Sequence, residues 1–383
     1  MPWYGSLPRL VKTIWPQLLR HQYVTLALLV ELIIRQRSLC LTDLARGNDA
    51  PTAFASRYQQ LWRWTKNDRI DSRLLRRQLA HHALAWRGDW GQYMPIIIDG
   101  TACKDFRILQ AVIPRKTRGI PLLWHSYRHG TMRKQLARFE TAFLDDLHDL
   151  LTEIRQAGIT PVVIGDRGFA HQRLIRWCEQ HGWGYLVRLP KQWRVKHRLY
   201  HGALADFEVK AGQARRLCDV ACGPRRSLRA NLVVTKLSRK RAAQLRRRTK
   251  KAVEAWYLLT NTEWTAPQVV NWYRKRWWIE CSFRDGKQHL GLTKVGVTTV
   301  AALDRLLLAW MLALQLLFAL GLKVITAAHL KMLSLPKRLG RVAQALAFLE
   351  RHERLRKRDD PGRPLDLWSA LWAGNPPYSL VAS

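Results

Sequence analysis

Two short runs decide the fold class. PIII at 95–98 and PVVI at 161–164 are rich in β-branched residues, and an acid stands at the end of each: Asp99 in IIIDGT and Asp166 in VVIGDRGF. Uninterrupted apolar runs this short suit strands buried on both faces, which occur where helices cover a sheet. After Asp166 come Gly168, a helical stretch, Gly182 and another strand-like run, YLVRL. Strands alternating with helices predict an α/β core with some parallel pairing. Open α/β sheets gather functional groups at the carboxyl ends of their strands, where both aspartates stand. Taken singly, Asp-Gly after a strand reads as a turn.

Charge narrows the partner. The 383 residues hold 65 Lys and Arg against 28 Asp and Glu, a formal charge of +37. Self-repulsion of that size calls for a polyanion, and nucleic acid is the leading candidate. With 48% hydrophobic residues and 18 Trp the chain has a core, which excludes a disordered basic tail. Six scattered cysteines form no dense disulfide framework and suit a reduced cytosol. Cys218 and Cys222 lack a second Cys/His pair at zinc-finger spacing and read as structural. The N-terminus, MPWYGSLPRLVKTIW, has no secretory pattern. The apolar run 306–322 reaches the short end of a membrane span, but Gln315 interrupts it and a buried core helix is the preferred reading.

Residues 1–88 read as a helical, DNA-binding domain. Thr42 is placed to cap a short helix, Gly47 to end it, and Pro51 to open a second helix bearing Arg57 and Arg63, a helix-turn-helix-like arrangement. A catalytic core is expected over 89–190 and again over 256–335. Between them, 191–255 holds short strand candidates with 19 Lys and Arg against three acids between Lys191 and Lys251, a phosphate-seeking β-rich insertion. Residues 336–383 form a C-terminal helical and tail segment.

A helix is predicted from residue 266, with Thr265 and Gln268 as a capping box and Gly291 as a stop. At about 100° per residue, Tyr273, Arg276, Glu280 and Lys287 fall within an arc of roughly 60°. Glu280 alone would be an ordinary i,i+4 ion pair. Together with Asp99 and Asp166 it makes three carboxylates able to hold a pair of Mg²⁺ ions about 3.5 to 4 Å apart.

Tyr273, Arg276, Glu280 and Lys287 also match the Y-x2-R-x3-E-x6-K signature, and from about residue 90 to 325 the chain resembles bacterial insertion-sequence transposases of the DDE class, specifically the insertion-sequence-four type. The resemblance implies a ribonuclease-H-like α/β fold, a mixed sheet flanked by helices with a mainly β insertion and a helical N-terminal domain. It also implies catalytic, metal-binding roles for Asp99, Asp166 and Glu280, with two Mg²⁺ ions for which Mn²⁺ substitutes. Tyr273, Arg276 and Lys287 would hold DNA phosphates, and Trp256, opening the strand before the helix, would stack a flipped base. The implied partners are double-stranded DNA, as transposon ends and target, and a second copy of the chain in a homodimer, working in the bacterial cytoplasm. Two other readings stay open: an inactive basic DNA-binding descendant of a transposase, and a ribonuclease-H-like nuclease.

Overall fold

The computed structural model describes residues 6–85, 88, 91–131, 135–223, 227–249, 254–323, 325 and 341–359. Five helices come first: α1 (Leu7–Ile14), α2 (Arg20–Gln36), α3 (Leu41–Arg46), α4 (Phe54–Lys66) and α5 (Ser72–Leu84). The strands are β1 (Tyr93–Cys103), β2 (Phe106–Arg115), β3 (Arg118–Arg128), β4 (Thr160–Gly165), β5 (Gly184–Arg188), β6 (Arg194–His197), β7 (Tyr200–Ala203), β8 (Ala214–Cys222), β9 (Leu228–Thr235) and β10 (Trp256–Thr260). Helices α6 (Leu136–Leu150), α7 (Thr152–Gln156) and α8 (Gln172–Gln180) flank β4, and α9 (Arg239–Thr249) follows β9. After β10 come α10 (Ala266–Lys275), α11 (Trp277–His289), α12 (Val300–Lys323) and α13 (Arg341–Asp359).

Among the described residues, ten strands form one mixed sheet in the order β3-β2-β1-β4-β5-β10-β9-β8-β6-β7. The first three strands pair antiparallel, and β1, β4 and β5 pair parallel. The whole is consistent with a ribonuclease-H-like transposase fold. The basic block extends this sheet through β9 on β10, and it includes the helix α9 besides its strands.

One face of the sheet, with Ile97, Val162, Ile164, Leu186, Val233 and Leu258, packs against Val269, Tyr273, Ile279 and Phe283 of α10 and α11. The other face packs against α6 and α8. Helix α12 is long and apolar enough to cross a membrane, yet 94% of its most apolar window is buried inside the protein, against the N-terminal helices. Its interrupting Gln315 is buried and satisfied, donating to Pro121 O (3.0 Å) and meeting His82 Nδ1 (3.3 Å). A polar group inside an apolar helix is tolerated on those terms.

Two local expectations in the N-terminal helices need correction. Thr42 is not a cap, because α3 starts at Leu41 after Cys40, and Pro51 lies in a bend ahead of α4 rather than in its first turn. The Arg57 guanidinium is spent on the carbonyl of Asn48, which ties down that bend.

Glu31 lies buried in α2, 3.4 Å from Arg35, with one carboxylate oxygen unpartnered. Burial outweighs the arginine and pushes its carboxyl up to about 7 from an ordinary 4.5. The folded state therefore holds more protons than the unfolded chain between those values, and stability falls as pH rises through that window. Glu31→Gln is expected to match the parent at pH 4 and to exceed it by up to about 3 kcal/mol at pH 8, measured by urea melts at both pH values.

Candidate active site

Strand register brings the two aspartates together. Ile97 pairs with Ile164 across the parallel β1–β4 ladder, so Asp99 and Asp166, each two residues further on, come out at the same level of neighbouring strands. Side chains alternate along a strand, so both acids share the face of Ile97 and Ile164, the face that α10 and α11 cover. Asp166 caps a turn by accepting from Gly168 N–H (2.8 Å), and Asp99 accepts from Gly100 N–H (2.8 Å).

Glu280 reaches the pair from α11. That helix is seated on the sheet edge by Ser282, whose hydroxyl donates to Gly119 O (2.8 Å) and accepts from Gly119 N–H (2.9 Å). A buried ion pair, Arg118 Nε to Asp285 Oδ2 at 2.5 Å, lies one turn on. Losing one partner of such a pair strands a charge at a cost of about 3–5 kcal/mol, so the seat is firm. A Cβ on Gly286 would stand 2.2 Å from Trp310, and only glycine lets α11 approach α12 this closely.

The single helix expected over 266–291 is broken. Thr265 and Gln268 do form the capping box and Gly291, at φ +66°, does follow the end, but α10 stops at Lys275 and α11 starts at Trp277. At the junction Arg276 N–H donates to Tyr273 O (3.0 Å) and Ile279 N–H to Arg276 O (3.2 Å). These are tighter i→i−3 bonds, which locally overwind the helix. Arg276 thereby turns onto the acids. Its guanidinium meets Asp99 Oδ2 at 3.2 Å and hydrogen-bonds Glu280 Oε1.

Burial first, then the charges of Asp166 and Glu280, push Asp99 up to about 6 from 3.8, against the opposing pull of Gly100 N–H and Arg276. Arg276 itself is held more firmly protonated, because Tyr273, Glu280 and Asp99 outweigh the effect of burial. Among the described residues no three acids, histidines or cysteines form a group that could hold a metal ion. A guanidinium stands between two of the acids. The donor chemistry still fits, since Asp99, Asp166 and Glu280 offer the hard carboxylate oxygens that a hard divalent cation takes.

The remaining predicted residues flank this centre. Tyr273 is buried, with Trp256 set edge-on at 5.1 Å. Burial raises the Tyr273 phenol, while Arg276, Arg188 and Arg167 draw it down. Lys287 extends along α11 to the far end of β1, near enough to oppose the burial-driven rise of the Cys103 thiol. Trp256, by contrast, is half-buried at the start of β10.

Sequence reasoning missed four residues here. Arg188 ends the apolar strand β5, the same strand-end signal that picked out Asp166, and Glu254 joins it (3.2 Å) to Arg167. Trp277, 53% exposed, follows Arg276 directly; the crowding in NWYRKRWW gave no sign of which tryptophan faces solvent.

Residues 141–316 match the family described as transposase DDE domain. The match spans just under half of the chain, includes Asp166 and Glu280, and starts beyond Asp99. It supports a DDE transposase of the insertion-sequence type. No curated protein matches the chain. The matched stretch runs from within α6 through most of α12, including the basic strands and α9.

Proposed function

We propose that the chain is a transposase of the insertion-sequence-four type, which binds the terminal inverted repeats of its element, cuts them, and joins the freed 3′ ends to target DNA. The observation that supports this reading best is the register that sets Asp99 beside Asp166, with Arg276 bridging Asp99 to Glu280. These three carboxylates are the groups to hold two divalent ions, Mg²⁺ or Mn²⁺. Such ions, when bound, ease deprotonation of a water or 3′-hydroxyl and stabilise the leaving oxygen at phosphorus.

The protein's own part is to position and to neutralise. Arg276, released from Asp99 and Glu280, has its guanidinium beside the strand being cut, where it grips a phosphate bidentately. Tyr273 and Lys287 hold flanking phosphates along the same helical pair, and Trp256 offers a ring to an unstacked base. The helical domain 1–88 holds the repeats, the core 89–190 and 256–335 supplies the acids, and 191–255 neutralises backbone phosphates. Two copies act together on the two ends, in the bacterial cytoplasm. The tail 360–383 lies outside the described residues.

A second reading, a DNA-binding relative without catalysis, is favoured by Arg276 lying between Asp99 and Glu280. Incubation with Mg²⁺ and duplexes ending in the element's repeats separates the readings. Joined products are expected; nicks without joining indicate a nuclease, and salt-sensitive binding alone indicates the inactive relative.

A further inference from the structure

The sheet ends in a ribbon that stands apart from the acids. Strands β6 and β7 pair antiparallel as far as His197 and Tyr200 and close over a two-residue turn, Arg198-Leu199. Strand β7 is the last in the sheet, and β6 stands five places from β4. At the usual spacing of about 4.8 Å that is roughly 24 Å from the strand that ends at Asp166, so the ribbon does not belong to the candidate active site.

Its base is held and its tip is open. Val195 is buried, Tyr200 meets Phe207 edge to face at 4.9 Å and donates its hydroxyl to Ala203 O, and Leu199 N–H donates to His197 Nδ1 (3.1 Å). The alternation of a strand turns Arg194 and Lys196 to the side away from Val195, and both are exposed, with His201 across from Lys196 in register. Arg194, Lys196 and Arg198 form no ion pair among the described residues. The nearby acids are already faced by cations. Asp219 pairs with Arg229 (2.5 Å), and Asp206 and Glu208 line a cavity together with Lys210, Arg215 and Lys236.

Cations along a short edge strand have an ordinary use, since they keep one sheet from pairing edge to edge with another. Leu199 has no place in that use. It is 67% exposed, the most open large apolar side chain among the described residues, and it stands at the tip between Arg198 and Tyr200. A ribbon held at its base, with cations on its flank and one apolar side chain at its point, has the form that enters a minor groove and wedges between base pairs. An arginine beside the wedge suits the negative potential of that groove. We propose that the β6–β7 hairpin grips duplex DNA away from the cut, with Arg194, Lys196 and Arg198 on phosphates and Leu199 wedged into a base step from the minor groove, so that the duplex bends. The proposal rests on the transposase reading only for its partner, DNA.

The probe is a duplex of about 30 base pairs, straight when free, labelled at both ends and mixed with the full chain. Energy transfer between the labels follows bending, and anisotropy follows binding. Wild type should raise the transfer. Leu199→Ala should return it to the value of free duplex while affinity stays within about three-fold, because unstacking a step offsets much of what the wedge gains. Arg194→Gln, Lys196→Gln and Arg198→Gln combined should make the salt slope of binding shallower by as much as about 2.7. All four positions are exposed, and melting curves show that each variant is folded. Bending by Leu199→Ala equal to that of wild type, or a wild type that binds without bending, overturns the wedge and leaves the transposase reading intact. A salt slope unchanged in the triple variant overturns the grip. Light scattering in which Leu199→Ala splits a dimer, with bending unchanged, makes the tip a contact between copies and overturns the proposal as well. A wild type that bends the duplex but neither cuts nor joins it removes the transposase reading and leaves the hairpin's role standing, whereas a wild type that binds no duplex removes both.

Discussion

Asp99→Asn is expected to slow Mg²⁺-dependent strand cleavage by at least about a hundred-fold while DNA affinity stays within about two-fold. The substitution keeps the shape of the side chain and its hydrogen bond from Gly100, and removes one negative charge from a cluster whose members repel one another. In the proposed function DNA is held by cations elsewhere, so binding has no reason to follow cleavage down. Gel-resolved nicking and anisotropy on the same preparations give both numbers. Cleavage at the parental rate in a folded Asp99→Asn protein removes Asp99 from the chemistry.

The second large effect is electrostatic. Helix α9 carries Arg239, Lys240, Arg241, Arg246 and Arg247, and no acid occurs between Asp219 and Glu254. Like charges a turn apart repel and weaken an isolated helix, so a segment of this kind makes physical sense against a polyanion. Each phosphate neutralised contributes about 0.9 to the slope of log K against log salt. Changing these five residues to Gln is therefore expected to make that slope shallower by as much as about 4.5, and to weaken binding on the order of a hundred-fold at low salt. The loss should be the same for any duplex sequence. A salt slope equal to the parent's would make α9 a merely solvated helix.

What was legible in the sequence follows from where physics acts locally. The strand ends at Asp99 and Asp166 could be read because β-branched runs and chain-reversing glycines are short-range signals. The capping box at Thr265 and Gln268 could be read for the same reason. Strand β2 was passed over: Gln110 and Pro114 spoil its apolar pattern, and the reason Gln110 is tolerated, burial against Met311 of α12 (3.3 Å), is a contact 201 residues away along the chain. The break at Arg276 was equally hidden, since nothing in WYRKRWW interrupts a helical pattern; the tighter turn becomes visible only with the ion pairs to Asp99 and Glu280 in place. Periodicity grouped Tyr273, Arg276, Glu280 and Lys287 on one face. It could not say that the arginine would lie between the acids.

The central claim is that Asp99, Asp166 and Glu280 act as one divalent-ion site once Arg276 withdraws. Direct titration of Mn²⁺ into the protein, followed by electron paramagnetic resonance, tests it on wild type, Asp166→Asn and Glu280→Gln. The account predicts two saturable ions per chain in wild type and loss of at least one in each variant. The same number of ions bound with the same affinity in all three proteins would contradict it.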